Sequence, residues 1–335
     1  MGNQEKESEG SSWIFCVFRM FDYSKTKKEK VVCNLCGSDQ PVILARRSKN
    51  NLPVTTVFCR DCSLIFINPR MTAAGYNNYY KNFYRLDRNA IKGTENETDL
   101  ERNFENAKKF GRALANRYGK YLNNGLVVDV GSSTGGILFG LREIISTLKI
   151  FGIEPSVAES VFARNHGVPT ETALFENFRV DLPEAPTSIL CVQSLNHLLN
   201  PKGFMIWARE KLIDGGALFL AVKNFRHQAR RAGSIEAGVQ IDHPYMFTPE
   251  TLQAMVESVG FRIVVFEVDE DKSRSELLAQ RAEGLPRHHI WLVAIKDNSK
   301  KLAQVLPNFW VRLKLRLAFS RPILKLFYLI KYVHR

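Results

Sequence analysis

The sequence predicts an α/β protein whose main sheet is Rossmann-like and mostly parallel, with the last strand antiparallel and a small N-terminal ribbon. Three observations predict this fold. Apolar strand-like runs alternate with helical segments from residue 126 to residue 260. Two further strand-like runs then follow with only a loop between them, which predicts an antiparallel pair. Two Cys-x-x-Cys pairs precede the alternating region.

Composition predicts a globular protein with one large domain and a small one. The chain has 335 residues, of which 45% are hydrophobic and 24% are charged. The formal net charge of +13 indicates an anionic partner. Nine Lys and Arg residues lie between Lys300 and Arg335, and no acidic residue follows Asp297. The rest of the chain is only mildly basic, which argues against a nucleic-acid groove across it.

The termini predict a cytoplasmic protein. Glu5, Glu7 and Glu9 lie where a signal peptide needs positive charge, and Lys6 lies where N-myristoylation needs Ser or Thr. The sequence has no run approaching the roughly 18 apolar residues of a membrane span. Residues 1–30 are expected to form a partly disordered arm. Within it, Ser12–Tyr23 is apolar, and both packing on the body and contact with a membrane surface remain open.

The cysteine spacing predicts a structural zinc site in residues 31–70. Two knuckles can together offer four thiolates to one ion: Cys33, Cys36, Cys59 and Cys62. A redox protein needs one such pair and not two, and a fully occupied tetrahedron leaves no position for catalysis. Val42–Arg46 and Val54–Cys59 are predicted as ribbon strands.

Residues 71–122 are expected to connect the ribbon to the main domain. They include a tyrosine cluster for which packing on the core is the favoured interpretation: Tyr76, Tyr79, Tyr80 and Tyr84. Apolar residues at helical spacing predict a helix over Glu101–Leu122.

The loop after Leu126–Val130 organises the main domain, residues 123–297. A buried strand, a small-residue loop and a helix start form a nucleotide-shaped site at the carboxyl edge of a sheet. Two patterns fit the loop, and each lacks one glycine at Ser133. G-x-G-x-x-G uses Gly131, Ser133 and Gly136, whereas D-x-G-x-G-x-G uses Asp129, Gly131, Ser133 and Gly135. Asp129 favours the second, because its carboxylate suits a cationic amino-acid group and would repel a pyrophosphate.

The remaining elements follow in alternation. The predicted strands are Lys149–Ile153, Val168–Glu171, Ser188–Gln193, Ala217–Val222, Arg262–Asp269 and His289–Lys296. The predicted helices are a segment reaching Ser146, then Ser156–His166, Lys202–Ile213 and Pro249–Gly260, the last capped by Thr248.

The loop resembles motif I of the class I S-adenosylmethionine-dependent methyltransferases. The second cysteine pair is followed by S-L-I-F-I-N-P-R, and this combination resembles the zinc-binding-domain methyltransferases of sugars and natural products. The resemblance covers roughly residues 31 to 297. It implies S-adenosylmethionine as cofactor, a structural zinc ion and a connector that acts as a lid over the cofactor.

Three further residues are expected at the cofactor. Glu154 ends the second strand, where a carboxylate can accept hydrogen bonds from both ribose hydroxyls. A charge at a helix start is the alternative interpretation of Glu154. Gln193 and Ser194 end the fourth strand and are expected against adenine or substrate.

Two histidines are candidate catalytic bases. His197 lies in L-N-H-L-L-N-P, which resembles the family's L-E-H-L-x-D-P with Asn196 and Asn200 as departures. His243 follows the fifth strand, next to Asp242, which could orient its imidazole. A structural role at the turn is the alternative for His197.

The leading functional hypothesis is methyl transfer to a small molecule or glycan, either a sugar nucleotide or a lipid-linked sugar. An RNA methyltransferase with a zinc ribbon is one alternative. A degenerate fold that acts as a binding module is another, and the departures at Ser133 and Asn196 keep it open.

The basic tail, residues 298–335, is expected to attach the protein to an anionic membrane surface. Pro307–Arg335 mixes bulky apolar residues with Lys and Arg. Packing on the core or on a second subunit is the alternative. Val311–Leu317 alternates with a period of two, which predicts a strand, and only the part after Pro322 predicts a helix.

Overall fold

The computed structural model describes residues 21–84, 99–305 and 307–333. Within them the strands are β1 (Lys28–Glu29), β2 (Pro41–Ala45), β3 (Thr56–Cys59), β4 (Ile65–Ile67), β5 (Arg70–Met71), β6 (Leu126–Val130), β7 (Lys149–Ile153), β8 (Thr170–Glu171), β9 (Ser188–Val192), β10 (Ala217–Lys223), β11 (Tyr245–Met246), β12 (Phe261–Val268) and β13 (His289–Lys296). The α-helices are α1 (Ala73–Asn82), α2 (Asp99–Tyr118), α3 (Gly136–Ile144), α4 (Val157–Asn165), α5 (Pro201–Lys211), α6 (Phe225–Ala232), α7 (Pro249–Ser258), α8 (Arg274–Ala282), α9 (Phe309–Ala318) and α10 (Arg321–Val333).

The main sheet has seven strands in the order β12-β13-β10-β9-β6-β7-β8. Strands β6 to β10 pair in parallel, and β13 pairs antiparallel with both β10 and β12. The prediction of a mostly parallel sheet with an antiparallel last strand is therefore confirmed. The structure adds that β13 lies inside the sheet, between β10 and the edge strand β12.

Helices α2 and α3 pack with their backbones in close contact. A Cβ atom on Gly140 would lie 2.1 Å from the carbonyl oxygen of Lys108, and one on Gly136 would lie 2.5 Å from that of Phe104. These two glycines therefore serve helix packing. Helix α2 ends at Tyr118, whereas the helical pattern continued to Leu122, and residues 119–121 form a 3₁₀ turn instead.

The ribbon is part of a four-stranded antiparallel sheet in the order β11-β4-β3-β2. Strands β2 and β3 match the two predicted ribbon strands within two residues at either end. Strands β4 and β11 were not predicted, because three and two residues are too few to show a period. Strand β11 comes from the segment after β10, so this sheet joins the ribbon to the main domain.

The ribbon also shares one apolar core with the main sheet. Leu35, Leu64 and Phe66 of the ribbon are buried in the same cluster as Leu195 and Phe247 of the main domain. The cysteine knuckles are therefore fixed relative to the segments that follow β9 and β10.

The connector packs partly as expected. Tyr76 and Tyr79 are buried, and the Phe21 ring lies 4.8 Å from that of Tyr79. This agrees with the favoured interpretation for these two tyrosines. Tyr23 is also buried, and residues 12–20 of the predicted apolar stretch lie outside the described residues.

The tail forms two helices that contact the body, so the predicted strand at Val311–Leu317 is wrong. The residues that alternate in sequence lie in α9, where Leu315 and Ala318 are buried and Lys314 pairs with Glu250 at 2.8 Å. Burial alone would raise the pKa of Glu250, but Lys314 and Arg226 lower it to about 2. Among the described residues, none of the helices has the length and apolarity needed to cross a bilayer.

Replacing Gly140 by Ala tests the contact between α2 and α3. Alanine favours an isolated helix over glycine by about 1 kcal/mol, but the added methyl group collides with backbone that cannot rotate away. We expect the free energy of unfolding to fall by about 1–3 kcal/mol in urea titrations, as for overpacked cores. Gly119→Ala is the matched control, because its Cβ would meet only a side-chain methyl at 3.6 Å. Equal stability of the two variants would contradict the assignment.

Candidate functional site

The loop after β6 turns back over the end of β7. The N–H of Gly131 donates to the carbonyl oxygen of Ile153 at 2.8 Å, and the N–H of Ser133 donates to Oε2 of Glu154 at 2.8 Å. Ser133 has a φ of 50°, in the left-handed region that favours glycine. The departure at Ser133 is therefore a substitution in a glycine-like conformation, and the loop keeps its path.

Gly131 brings this loop against the end of the neighbouring strand β9. The hydroxyl of Ser194 donates to the carbonyl oxygen of Gly131 at 3.2 Å, and a Cβ on Gly131 would lie 2.3 Å from that hydroxyl oxygen. Gln193 adopts a φ of 59°, which is uncommon outside glycine and Asn. Three predicted cofactor residues are thus adjacent at one edge of the sheet.

Two buried carboxyl groups lie beside the loop. Asp129 and Glu154 are 1% and 6% exposed. Burial raises the pKa of Asp129 to about 7. Burial, followed by the charge of Glu159, raises the pKa of Glu154 to about 8, although the N–H groups of Ser156 and Ser133 oppose this. Near neutral pH both groups are poised between their neutral and ionised forms.

Several buried polar atoms at this edge have no hydrogen-bond partner among the described residues. They are Oδ1 of Asp129, Oγ of Ser132, Oγ1 of Thr134 and Oδ1 of Asn196. An unpaired buried polar atom is costly, so such a group fits a site that a polar ligand completes. S-adenosylmethionine, with a cationic amino-acid group and ribose hydroxyls, suits these acceptors. The individual role of each residue toward the cofactor stays a prediction, including ribose binding by Glu154 and the contact of Gly135.

The two predicted catalytic histidines lie together around Asp242. Oδ2 of Asp242 is 3.7 Å from Nδ1 of His197 and 4.0 Å from Nε2 of His243. The two imidazole centroids are 4.6 Å apart. Burial alone would raise the pKa of Asp242, but His243 and His197 lower it below its usual value. The carboxylate is therefore held ionised between two imidazoles.

Tyr80 completes this group and was not predicted as a site residue. Its hydroxyl lies 3.0 Å from Nδ1 of His197 and 3.2 Å from the carbonyl oxygen of Asp242. Burial, and then the charge of Asp242, raises its pKa well above the usual range, so the phenol stays protonated. Tyr80 directly follows the packed Tyr79 in helix α1 and lies about one turn after Tyr76. Spacing alone therefore did not indicate which tyrosine faces the site.

The ribbon holds the segment that carries His197. The side chain of Asn34, between the two cysteines of the first knuckle, donates to Oδ1 of Asn200 at 2.8 Å and accepts from the N–H of Lys202 at 2.8 Å. Asn200 also caps α5 through the N–H of Gly203. Asn200, noted above as a departure from the family pattern, therefore retains a capping acceptor at this position.

Arg70 of the N-P-R motif makes the second connection. Its guanidinium donates to the carbonyl oxygen of Leu199 at 2.7 Å and to the hydroxyl of Tyr245 at 3.2 Å. Tyr245 begins β11, two residues after His243, so Arg70 links both histidine segments. The motif was used above only for its resemblance, and the structure gives it this structural role.

The four predicted zinc ligands converge. All four sulfur atoms lie within 4.8 Å of one another, with Cys33–Cys62 at 3.3 Å and Cys36–Cys59 at 3.6 Å. Zn–S bonds of 2.3 Å in a tetrahedron imply sulfur separations of about 3.8 Å, so the cluster fits one structural zinc ion. Contact with the Cys33 thiol lowers the pKa of Cys59, which favours a thiolate there. His197, Asp242 and His243 also offer three ligand atoms within 4.8 Å.

Replacing Cys59 by Ser should remove the zinc. We expect metal analysis to find about one zinc per wild-type chain and far less in the variant, with a less stable ribbon, because a three-sulfur site binds weakly. Cys191→Ala is the control, since that buried thiol lies in β9, outside the cluster. A folded wild-type protein without metal would contradict the zinc assignment. Zinc retained in full by Cys59→Ser would contradict the assignment of Cys59 as a ligand.

The raised carboxyl pKa values predict tighter binding of S-adenosylmethionine at higher pH. Below about pH 7 Asp129 and Glu154 are largely protonated, and their ionised forms attract a cation and accept stronger, charge-assisted hydrogen bonds. Calorimetry should show affinity rising from pH 6 to pH 8.5. Glu154→Ala should weaken binding by about 1.5–3 kcal/mol at the higher pH. Binding that is independent of pH would contradict this role for the two carboxyl groups.

The raised pKa values of Asp129 and Glu154 should make the ligand-free protein less stable, and not more, as the pH rises. A carboxyl group whose pKa is raised on folding contributes stability below its ordinary pKa of 4.5, and that stability is lost as the pH rises through about 8. Thermal unfolding of Glu154→Gln should therefore depend less on pH over this range than unfolding of the wild type.

Comparison with known proteins assigns the main domain. Residues 100–265 match the family model described as a methyltransferase domain. No curated protein matches the sequence. Among solved structures, the plantazolicin methyltransferase BpumL, in complex with a pentazolic desmethylPZN analogue and SAH, shares 14% identity over 67% of this chain and 95% of its own, with a TM-score of 0.47. The CcbJ methyltransferase from Streptomyces caelestis shares 17% identity over 58% and 89%, with a TM-score of 0.41.

The family match covers the strand, loop and helix that build the cofactor edge, and it ends in β12. It agrees with the sheet order and with the buried acceptors beside Gly131. The chain is a class I S-adenosylmethionine-dependent methyltransferase, with its methyltransferase domain over residues 100–265.

Proposed function

We propose that the chain transfers a methyl group to a small-molecule or glycan acceptor, either a sugar nucleotide or a lipid-linked sugar. The observation that carries this proposal is the group formed by Tyr80, His197, Asp242 and His243 at the carboxyl edge of the sheet. His197 lies three residues after Ser194, which touches the cofactor loop. This proximity supports a proton-accepting role for the group next to the expected methyl donor.

In this proposal His197 removes the proton from the acceptor. S-adenosylmethionine supplies an activated methyl group, and the protein aligns the acceptor and takes its proton. The His197 side chain is partly exposed, whereas His243 is buried, so His197 is better placed to meet a substrate. Asp242 stabilises the imidazolium that forms, and His243 positions the carboxylate from its other side.

The connector is proposed to control access to this base. Rings of Tyr80 and Tyr84 lie 6.2 and 6.4 Å from the imidazole of His197, and the two phenol rings are 5.2 Å apart. Aromatic faces with hydroxyl groups suit an acceptor that carries both C–H and O–H groups, as a sugar does. The position of these two rings beside His197 supports the interpretation of Tyr80 and Tyr84 as part of a lid.

The ribbon contributes to the position of the candidate site. Arg70 turns inward to Leu199 and Tyr245, and Asn34 is engaged by Asn200 and Lys202. This supports a role for the ribbon in an enzyme that acts on a small acceptor. The ribbon also has exposed cations, of the kind that bind RNA phosphates, so RNA is included among the acceptors tested: Arg46, Arg47, Lys49 and Arg60.

A panel of nucleoside-diphosphate sugars and lipid-linked sugars, offered with S-adenosylmethionine labelled in the methyl group, tests the proposal. We expect label in at least one sugar and none in total RNA. With the acceptor so found, His197→Asn should lower kcat by about 10²–10⁴, the usual contribution of general base catalysis, and leave the cofactor Kd unchanged.

His166→Asn is the matched control, because that imidazole stacks on Phe162 at 3.9 Å, away from Asp242. Its kcat should remain within about twofold of the wild type. Wild-type kcat in His197→Asn would refute the assigned base. Label transferred to RNA with a steep salt dependence would refute the acceptor class.

A further inference from the structure

One face of helix α9 presents large apolar side chains to solvent. Phe309, Trp310, Leu313 and Leu317 are all exposed, Trp310 by 74% and Phe309 by 63%. At 3.6 residues per turn these four positions fall within about 100° of one another around the helix. They form a continuous stripe, which we call the outer stripe.

The outer stripe is not the face by which α9 packs on the body, because the opposite side of the helix makes that contact. Leu315 and Ala318 are buried there, and Lys314 pairs with Glu250. Helix α10 repeats the arrangement: Leu324 is buried, whereas Leu326 and Leu329 are exposed. Its position on α6 is fixed by Arg230, whose guanidinium lies 4.3 Å from the Phe327 ring. Both helices are therefore held on the body with apolar side chains left outward.

Basic residues border the outer stripe. Arg312 and Arg316 lie beside it on α9. Arg321 is the first residue of α10, Lys325 lies one turn later, and both are exposed. No acidic residue follows Asp297 in the sequence, so the surface has only one sign of charge from its own residues. An occupant of this surface must combine an apolar interior with an anionic surface.

We propose that α9 and α10 dock on the surface of an anionic phospholipid bilayer. Phe309, Leu313 and Leu317 enter the boundary between headgroups and acyl chains, and Trp310 lies at headgroup depth. The basic side chains extend to lipid phosphates while their alkyl stems cover apolar surface. A second copy of the chain fits less well, since a symmetric contact through this surface would bring the same cations together.

This attachment goes beyond the transferase activity and does not depend on the identity of the acceptor. The outer stripe lies on the tail, outside residues 100–265 of the methyltransferase domain. Variants of the stripe are therefore expected to bind S-adenosylmethionine as the wild type does. Failure of membrane binding and failure of the proposed function would be separately visible.

Vesicle sedimentation of the full-length protein tests the proposal. We expect the wild type to sediment with vesicles of phosphatidylglycerol and phosphatidylcholine, and to stay in the supernatant with phosphatidylcholine alone. Trp310→Ser/Leu317→Ser should weaken binding by about tenfold or more, because each large apolar side chain contributes at least that much when buried. Arg316→Gln/Lys325→Gln should weaken it by about tenfold and reduce its salt dependence.

Matched controls carry the same changes on other helices. Val157→Ser/Leu278→Ser removes two exposed apolar side chains from α4 and α8, and Lys211→Gln/Arg274→Gln removes two exposed cations from α5 and α8. Both should bind as the wild type does. All variants should unfold at the wild-type temperature, since the altered side chains are exposed.

Two results would overturn the proposal. One is wild-type protein that remains in the supernatant with anionic vesicles at low salt. The other is a wild-type dimer in sedimentation velocity that Trp310→Ser/Leu317→Ser converts to monomer while vesicle binding is unchanged. The second result would assign the outer stripe to a copy of the same chain.

Discussion

The docking of the cysteine ribbon on two loops of the main domain is the constraint on which the candidate site depends. Asn34 fixes the start of α5 through Asn200, and Arg70 ties Leu199 to Tyr245. The pairing of β11 with β4 then holds the chain just after His243. The two histidines come from loops after different strands, so their mutual geometry is set by the ribbon rather than by the sheet alone. A structural zinc ion would therefore affect the candidate site indirectly. Loss of the cysteine knuckles would release both loops that carry the histidines.

Buried carboxyl groups give the same edge of the sheet its electrostatic character. Asp129 and Glu154 are stabilised in their neutral forms by burial, whereas Asp242 is kept ionised by two adjacent histidines. One side of the site thus suits a cationic ligand, and the other suits the proposed proton transfer. The unpaired acceptors around Asp129 indicate that the folded chain leaves polar groups for the cofactor to satisfy. These unpaired groups lower the stability of the ligand-free fold and are available to bind the cofactor.

Helix α9 shows how one short segment can serve two surfaces. Its inner side contributes Leu315 to the core and Lys314 to an ion pair, and its outer side remains apolar. A helix with 3.6 residues per turn separates these sides cleanly, while the sequence shows them interleaved. The alternation of Val311–Leu317 therefore resembled that of a strand. In the helix its apolar residues lie on both sides, with Leu315 on the inner side and Leu313 and Leu317 on the outer side.

The sequence by itself determined the order of the β and α elements, the Cys₄ cluster and the glycine-like loop after β6, because these depend on local periodicity and on short spacings. It also identified both histidines, although it related each to its own strand end. Only the tertiary structure decided that they share Asp242, that Tyr80 rather than Tyr76 joins them, and that Arg70 and Asn34 hold their loops. These contacts join residues 117 to 175 positions apart for Tyr80, Arg70 and their partners. Side chains at such separations leave no shared period in the sequence, so their contact becomes visible only when the sheets have assembled.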